Sequence, residues 1–346
     1  MGIIWGTGFD YADSGTGLGI EYGFIEQDSG AGYLERGTGR FGGYSAQFPT
    51  LGSIARLARA TLDAETATIT MGFAFYIDGT APFANTNLVH FYAADTTIQF
   101  TLRINADRTL KICNGSGTTA LIQTTTALAA SAWSYIEFTV VVSDTVGTAE
   151  IWIDDVSEAS GTALDTRGST GGSNVFMFEF GTNIAGAGRP LVRFDDMYVR
   201  DDTTRHGPCF WEYIPPNADT ADADGTPSTG ATDFGVLDDN PWTLTDYLSL
   251  SAAGDLTILD HAGLSDNPVD IWAVQLLAGV AKMEAGDRTF RGVLKQGGTV
   301  YNGATTGYGS SGARLLHWHW ETNPATASAW TTATVNSVDF GMEIVA

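Results

Sequence analysis

The chain has few cations and no long apolar run, and each scarcity removes a class of function. Its 346 residues include 17 Lys and Arg against 40 Asp and Glu, which gives a net charge of −23. Only three of the cations are lysines, and so few cannot cover a phosphate backbone, so nucleic acid is not an expected partner. The longest apolar stretch, Ile271–Ala281, is interrupted by Gln275 and is shorter than the ~20 residues a spanning helix needs. No membrane partner is expected either.

Cysteine and nucleotide-binding signals are equally scarce. Cys113 and Cys209 are the two cysteines, and two thiols in a chain of this length are not a disulfide framework, so we interpret them as ordinary thiols in different domains. No lysine follows a glycine, which excludes a P-loop. The first residues show neither a basic region nor an apolar core, so the sequence predicts synthesis in the cytoplasm without a secretory signal.

What the chain does have is an alternation of apolar and polar residues with a period of two. In Thr68–Tyr76 the residues Ile69, Met71, Phe73 and Phe75 fall on one face, which predicts a half-buried strand. The same pattern occurs in Ile98–Ile104, Thr109–Cys113, Trp133–Val142, Ala149–Ile153, Asn174–Phe180 and Val192–Val199. Turn residues predict two hairpins among these strands. One joins Ile98–Ile104 to Thr109–Cys113, and the other joins Trp133–Val142 to Ala149–Ile153. With almost no helical periodicity between them, an antiparallel sandwich is expected.

The amino-acid composition of the sequence changes after Arg205. Pro215 to Gly235 is rich in Pro, Asp, Thr and Gly and predicts a long loop. Strands are predicted again at Asp270–Met283, Thr289–Lys295, Ala313–Glu321 and Phe340–Val345. One short helix is expected within Asn323–Val338, where Trp330 and Thr334 stand at helical spacing. The predicted domains are therefore residues 1–205, a β-sandwich, and residues 206–346, a smaller β-rich domain.

Several short segments, in a fixed order, carry a resemblance to a known family. They are Gly8–Tyr11, Gly39–Phe48, Trp133–Val142 with Glu150–Asp155, and the closing strand Phe194–Val199. Together they resemble the concanavalin A-like (laminin G-like) jelly rolls of tailed-bacteriophage virion proteins, over roughly residues 1 to 203. The C-terminal tail, from Asn323 onwards, is similar to the end of those proteins.

The resemblance implies a fold and a function. The fold class is all-β, an antiparallel jelly-roll sandwich (concanavalin A-like) followed by a smaller β-rich domain with one short C-terminal helix. The function is that of a non-enzymatic structural protein of a tailed-phage virion, in capsid decoration or in a tail appendage. Its expected partners are capsid or tail subunits, further copies of itself, for example in a trimer, and a host-surface glycan. Its expected location is the virion, assembled in the host bacterial cytoplasm.

Two other functions are compatible with the same fold. One is a calcium-dependent carbohydrate-binding lectin, and the other, less favoured, is a polysaccharide depolymerase. Laminarinase-like jelly rolls carry Glu-x-Asp-x-Glu on one strand, which places three carboxylates in the cleft. Glu26–Gly30 lacks the third carboxylate, and Glu150–Asp154 and Asp154–Glu158 lack the pattern. We therefore predict no catalytic residues.

Three candidate metal sites are each interpreted as structural. Asp195 and Asp196 could contribute to a calcium site at the sandwich rim, but we favour one Asp capping backbone amides and the other facing water. Thr220–Gly225 is similar to a calcium loop but has Ala231 where a bidentate Glu should stand. His317 and His319 share one face of a predicted strand, with Trp318 and Trp320 on the core side. No cofactor and no metal-binding residue is predicted, with calcium kept as the alternative.

Overall fold

The computed structural model describes residues 2–10, 25–27, 35–48, 56–79, 85–168, 172, 174–182, 190–230, 232–238, 245–265, 267–282, 286–309 and 314–346. These residues form two compact units, the first extending to Trp211 and the second beginning at Glu212. Cys209 therefore lies in the same unit as Cys113, whereas the sequence assigned the two to different domains. Both cysteines are free thiols.

The first unit consists of antiparallel strands, as the period-two alternation predicts. Its strands are β1 (Ile3–Thr7), β2 (Ile25–Gln27), β3 (Glu35–Thr38), β4 (Tyr44–Phe48), β5 (Arg56–Thr66), β6 (Thr68–Ile77), β7 (Thr86–Tyr92), β8 (Ile98–Ile104), β9 (Leu110–Asn114), β10 (Ala120–Gln123), β11 (Trp133–Val141), β12 (Gly147–Ile153), β13 (Val156–Leu164), β14 (Val175–Thr182) and β15 (Val192–Arg200). The predicted hairpins are confirmed: β8 pairs with β9, and β11 pairs with β12.

These strands form two antiparallel sheets, and the fold class predicted from the sequence, an all-β jelly-roll sandwich, is confirmed. The eight-stranded sheet has the order β13-β12-β11-β6-β15-β4-β3, and β1 also pairs with β15. The seven-stranded sheet has the order β10-β9-β8-β7-β14-β5-β2. Along β15 the partner changes: Phe194 lies opposite Ala46 of β4, whereas Met197 lies opposite Thr7 of β1.

Aromatic side chains from both sheets fill the space between them. Phe180 of β14 contacts Phe48 and Phe194 of the opposite sheet, at ring-centroid distances of 5.6 and 5.3 Å. Phe91 of β7 similarly contacts Phe138 of β11 at 5.9 Å. Because side chains alternate between the faces of a strand, each inward Phe leaves its neighbours in sequence on the outer face of its sheet.

The second unit is a smaller β structure with one short helix, also as predicted. Its strands are β16 (Pro216–Ala223), β17 (Thr226–Pro227), β18 (Leu248–Ser249), β19 (Leu256–His261), β20 (Val274–Val280), β21 (Arg288–Gln296), β22 (Thr299–Tyr308), β23 (Arg314–Trp320) and β24 (Val338–Ile344). Five of them form a sheet in the order β16-β19-β24-β21-β22, and β20 pairs with β23. The helix α1 (Thr332–Val335) begins after Thr331, whose side chain accepts a hydrogen bond from the Thr334 amide.

Two predictions for this unit need correction. The segment predicted as a long loop contains β16, which pairs with β19 and has alternating exposure. Pro and Asp are poor strand formers, so the sequence resembles a loop, but a sheet edge accepts such residues. The strand predicted at Asp270–Met283 is shorter, Val274–Val280, and Met283 lies outside the described residues. Among the residues that the structure describes, no helix is both long and apolar enough to cross a membrane.

Candidate functional sites

A row of polar side chains crosses the outer face of the seven-stranded sheet. Glu179 lies between Phe178 and Phe180 in β14, and since both phenylalanines point into the core, Glu179 points outward. The strand register places Arg59 opposite Glu179, Glu179 opposite His90, and His90 opposite Thr101. We call Arg59, Glu179, His90 and Thr101 the polar row. The sequence offers only one signal for it, which is the single polar residue inside an apolar strand.

Hydrogen bonds satisfy the carboxylate of the polar row. Glu179 is 1% exposed and accepts from Arg59 Nε at 2.7 Å and from the Tyr92 hydroxyl. Burial, reinforced by this hydrogen bond and by the Glu179 charge, raises the pKa of Tyr92, so its hydroxyl stays protonated and can donate. The buried charge is thus paired with Arg59 and hydrogen-bonded, the condition under which a carboxylate is tolerated in an interior.

His90 is neutral, and its tautomer follows from its partners. The Asn87 side-chain amide donates to His90 Nε2 at 3.0 Å, so Nδ1 carries the proton and donates to Thr101 Oγ1 at 3.0 Å. The Thr101 hydroxyl in turn donates to the Gly115 carbonyl at 2.6 Å. Burial and the Arg103 charge lower the pKa of His90 to about 4. With both ring nitrogens engaged, His90 stabilises the sheet face rather than exchanging protons at neutral pH.

The polar row gives a first testable prediction. We expect Tyr92→Phe to lower the free energy of unfolding by about 1–3 kcal/mol, because it leaves the buried Glu179 carboxylate with one donor fewer. Urea denaturation of the full chain measures the change. Tyr247→Phe is the matched control, since Tyr247 is 53% exposed, and it should change the unfolding free energy by less than about 0.5 kcal/mol. Equal losses in both variants would contradict the assignment.

A second group of polar residues lies where β15 changes its pairing partner. Asp195 and Asp196 stand between the part of β15 that pairs with β4 and the part that pairs with β1. The register with β6 shifts at this point, and Asp196 has a left-handed backbone with φ of 49°. In a regular strand the two side chains would point to opposite faces. The bulge instead buries both, each with 4% exposure.

The carboxylates accept hydrogen bonds from backbone amides of two separate segments, one around β4 and one after β15. Asp195 Oδ2 accepts from the Arg40 amide at 2.8 Å, and Asp196 Oδ1 accepts from the Trp211 amide at 3.0 Å. Asp10, which follows β1, accepts from the Tyr44 amide at 2.8 Å. We call Asp10, Asp195 and Asp196 the carboxylate cluster.

The carboxylate cluster brings three carboxyl groups close to Arg40 and Arg36. Arg40 Nη1 lies 3.8 Å from Asp196 Oδ2 and donates to the Cys209 carbonyl at 3.2 Å. Burial raises the pKa of Asp10 to about 7, against the opposing effect of Arg36. Burial also raises the pKa of Asp195 and Asp196, and the charge of Asp196 adds to the effect on Asp195.

The prediction for this pair was half right. One Asp was expected to cap backbone amides and the other to face water, but both Asp195 and Asp196 cap backbone amides and neither faces water, because the bulge turns Asp196 inward. Most of the carboxylate oxygens of the cluster are engaged with the protein backbone. Asp195 uses both oxygens, and Asp10 and Asp196 one each, to accept backbone amides. Moreover, no group of three or more His, Cys, Asp or Glu side chains within the described ranges is arranged to hold a metal ion.

A segment after β15 returns over the outer face of the eight-stranded sheet. We call Arg205–Trp211 the return segment. Its anchor is Glu137, 1% exposed, whose Oε2 accepts from Arg205 Nη2 at 2.7 Å. Oε1 accepts from the Gly207 amide at 3.0 Å, from the His206 amide at 3.2 Å and from the Tyr198 hydroxyl.

The end of the return segment packs against β1. Trp211 Nε1 donates to the Met197 carbonyl at 2.9 Å. Its ring lies so close to Gly6 that a Cβ on Gly6 would stand 3.1 Å from Trp211 Cε2, with another ring atom nearer still. Burial raises the pKa of the Cys209 thiol to about 12, and its Sγ lies 3.0 Å from the Tyr135 hydroxyl. The return segment therefore belongs to the jelly roll, although the predicted boundary at Arg205 separates it.

The remaining sequence candidates occupy structural positions. Trp318 and Trp320 are buried, as predicted, and His317 and His319 lie on the other face of β23 with ring centroids 5.0 Å apart. His319 Nε2 lies 2.8 Å from Gln275 Nε2.

The carboxylates weighed as catalytic or calcium-binding are used locally. Thr220–Gly225 lies largely in β16, and Asp28 and Ala231 are outside the described residues. Glu150 accepts from Ser157 Oγ at 2.7 Å, and Asp154 accepts from the Tyr135 amide at 2.7 Å.

Comparison with known proteins shows likeness of fold only. No protein-family model matches the sequence, and no curated protein matches it either. Among solved structures, the chain is similar to the cellulose-induced protein Cip1 at 14% identity and a TM-score of 0.43, covering 55% of this chain and 94% of that one. It is also similar to lectin II from Ulex europaeus, at 9% identity and a TM-score of 0.35, over 51% and 91% of the two chains. The carbohydrate-binding module CBM66 from Bacillus subtilis follows at 9% identity and 0.33, over 52% and 96%.

Proposed function

We propose that this chain is a non-enzymatic structural protein of a tailed-bacteriophage virion, acting by contact with neighbouring subunits. The observation that supports this is where the phage-like sequence segments lie. Gly8–Tyr11 supplies Asp10, Gly39–Phe48 supplies Arg40 and Tyr44, and Phe194–Val199 supplies Asp195 and Asp196. Segments far apart in sequence thus form one buried junction.

The residue types in these segments are the ones the junction needs. Gly43 has φ of 56°, a conformation that side chains rarely adopt, and a Cβ there would stand within 2.9 Å of Asp10 Cγ. The aspartates cap amides that have no strand partner, and the bulge places both of them there. These sequence segments therefore build part of the scaffold of the fold. This supports a resemblance that rests on a shared architecture rather than on a shared reaction.

The buried polar side chains described above already have hydrogen-bond partners, which favours a structural role over catalysis. Glu179 and Glu137 are buried, paired with arginines and hydrogen-bonded by tyrosines, and His90 has both ring nitrogens engaged. Such groups rigidify sheets. The exposed aromatic pair Phe41 and Phe210, 70% and 43% exposed with rings 5.5 Å apart, offers an apolar contact to a neighbour. Several copies per particle follow from the symmetry of virions, with a trimer as one arrangement.

Immunogold electron microscopy tests the proposal directly. Particles of the phage that encodes the chain are labelled with antibody against it, with pre-immune serum as the control. Gold at regular positions on heads or on tails is the expected result, and it also distinguishes capsid decoration from a tail appendage. Particles that carry no chain by both labelling and immunoblot would contradict the proposal.

Two further measurements address the alternative functions. A glycan array, run with and without a chelator, tests for a calcium-dependent lectin and for a host glycan as a second partner. Incubation with host capsule or exopolysaccharide, followed by measurement of reducing ends or unsaturated products, tests for a depolymerase. We expect no product in the second assay, and turnover of any polymer would overturn the non-enzymatic assignment.

A further inference from the structure

The carboxylate cluster and the return segment are joined by few contacts. We propose that the carboxylate cluster is a proton-dependent contact, closed when the cluster holds protons and opened when all three carboxylates ionise. Asp196 Oδ1 accepts the Trp211 amide, and Arg40 Nη1 donates to the Cys209 carbonyl. Both bonds hold the last three residues of the return segment; one is made by Asp196 of the cluster and the other by Arg40, which lies beside Asp196.

The charges at this place do not balance when every carboxyl is ionised. Within the described ranges, Arg40 Nη1 lies 3.8 Å from Asp196 Oδ2 and Arg36 acts on Asp10, so two guanidinium groups face three carboxylates. Asp196 Oδ2 itself is buried and has no hydrogen-bond partner among the described residues. A buried ionised oxygen without a donor is costly, whereas a protonated one costs much less. The arrangement therefore favours a protonated cluster.

Each element packed around the cluster contributes one kind of group. Strand β3 brings the cation Arg36, the segment between β3 and β4 brings Arg40, and the return segment brings the neutral thiol of Cys209. From β11 comes the Tyr135 hydroxyl, which burial keeps protonated. Glu137 and its partner Arg205 act on the other end of the return segment. None of these groups supplies a second cation next to Asp195 and Asp196, so protons are the remaining source of compensation.

The direction of the pH dependence follows from these shifts. The folded-state pKa of Asp10 is raised from 3.8 to about 7, and those of Asp195 and Asp196 are raised as well. The folded protein therefore binds more protons than the unfolded chain above pH 4, and stability falls as pH rises towards and through 7. The return segment responds first because it forms no strand and is held mainly by side chains.

Hydrogen exchange on the full chain tests the proposal. Mass spectrometry follows the peptides that contain residues 206–211 at pH 6.0 and pH 8.5, with rates corrected for the intrinsic pH dependence of amide exchange. We expect protection in these peptides to fall at least tenfold at pH 8.5, while peptides from β11 and β14 keep theirs.

Two variants relate the effect to the cluster. Asp10→Asn removes one charge and keeps an acceptor for the Tyr44 amide, so it should reduce the loss of protection at pH 8.5 at least threefold. Asp144→Asn is the control, because Asp144 is an exposed carboxylate of the same unit, paired with Arg167 at 2.7 Å, and it should leave the pH dependence unchanged. Should Asp10→Asn fold poorly, Asp196→Asn is measured in its place.

Three results would overturn the proposal. One is equal corrected protection of residues 206–211 at both pH values. Another is a pH dependence that Asp144→Asn alters as much as Asp10→Asn does. The third is full restoration of protection at pH 8.5 by millimolar calcium chloride but not by magnesium chloride, which would make the cluster a metal site. None of these outcomes bears on whether the chain is a virion protein.

Discussion

Glu137→Ala is expected to lower the free energy of unfolding by about 3–5 kcal/mol, among the largest effects of any single substitution in the jelly roll. The carboxylate is 1% exposed and accepts hydrogen bonds from Arg205, Tyr198 and the amides of His206 and Gly207. Its removal leaves a guanidinium, a hydroxyl and two amides without their acceptor, and desolvated donors are costly. Guanidinium denaturation followed by tryptophan fluorescence measures the loss.

The matched control for this prediction lies on the neighbouring strand. Glu150→Gln changes a carboxylate on β12 whose hydrogen bond to Ser157 is exposed, and it should alter the unfolding free energy by less than about 0.5 kcal/mol. Should Glu137→Ala not yield folded protein, Glu137→Gln retains one acceptor oxygen and is expected to lose less. A loss below 1 kcal/mol for Glu137→Ala would show that the return segment is not anchored there.

Gly341→Ala is expected to destabilise the second unit by about 3 kcal/mol or more. Gly341 lies in β24 opposite Ile258 of β19, and a Cβ at this position would contact the Thr257 carbonyl oxygen and stand 2.7 Å from Ile258 Cα. Backbone atoms of a paired strand cannot move aside as a flexible side chain can. The strand pair must therefore separate locally, with loss of its hydrogen bonds.

Gly307→Ala separates the steric effect from the general cost of replacing a strand glycine. Gly307 lies in the edge strand β22 of the same sheet, and a Cβ there would meet no atom within 4 Å. We expect no loss of stability in this control. Hydrogen exchange should show faster exchange in β19 and β24 for Gly341→Ala alone. Unchanged protection in those strands would refute the steric explanation.

The fold could be predicted to the extent that it depends on local patterns. Strand β6 shows it well, since Ile69, Met71, Phe73 and Phe75 alternate with small or polar residues and are all buried. The turn between β21 and β22 is equally local, because Gly297 and Gly298 both adopt positive φ, of 58° and 82°. Strand β16 was missed, because its Pro and Asp residues are poor strand formers and only its neighbour β19 makes it a strand.

The candidate sites could not be predicted, because they depend on which strands become neighbours. Arg59, Glu179, His90 and Thr101 come from β5, β14, β7 and β8, of which only β7 and β8 are consecutive in sequence, and the register of the sheet aligns them. For Asp195 and Asp196, alternation predicts opposite faces, and the bulge at Asp196 reverses that prediction. The bulge lies where β15 changes from one partner strand to the other, and the sequence of β15 does not show which strands it pairs with.

By itself the sequence determined the all-β class, most of the strands and hairpins, and the inward face of each alternating strand. These properties follow from side-chain periodicity and turn chemistry, which act over a few residues. The tertiary structure alone decided that β15 pairs with both β1 and β4, that three aspartates share one buried junction, and that the chain returns over Glu137. Those features depend on packing between residues up to two hundred positions apart, and no local pattern records such distances.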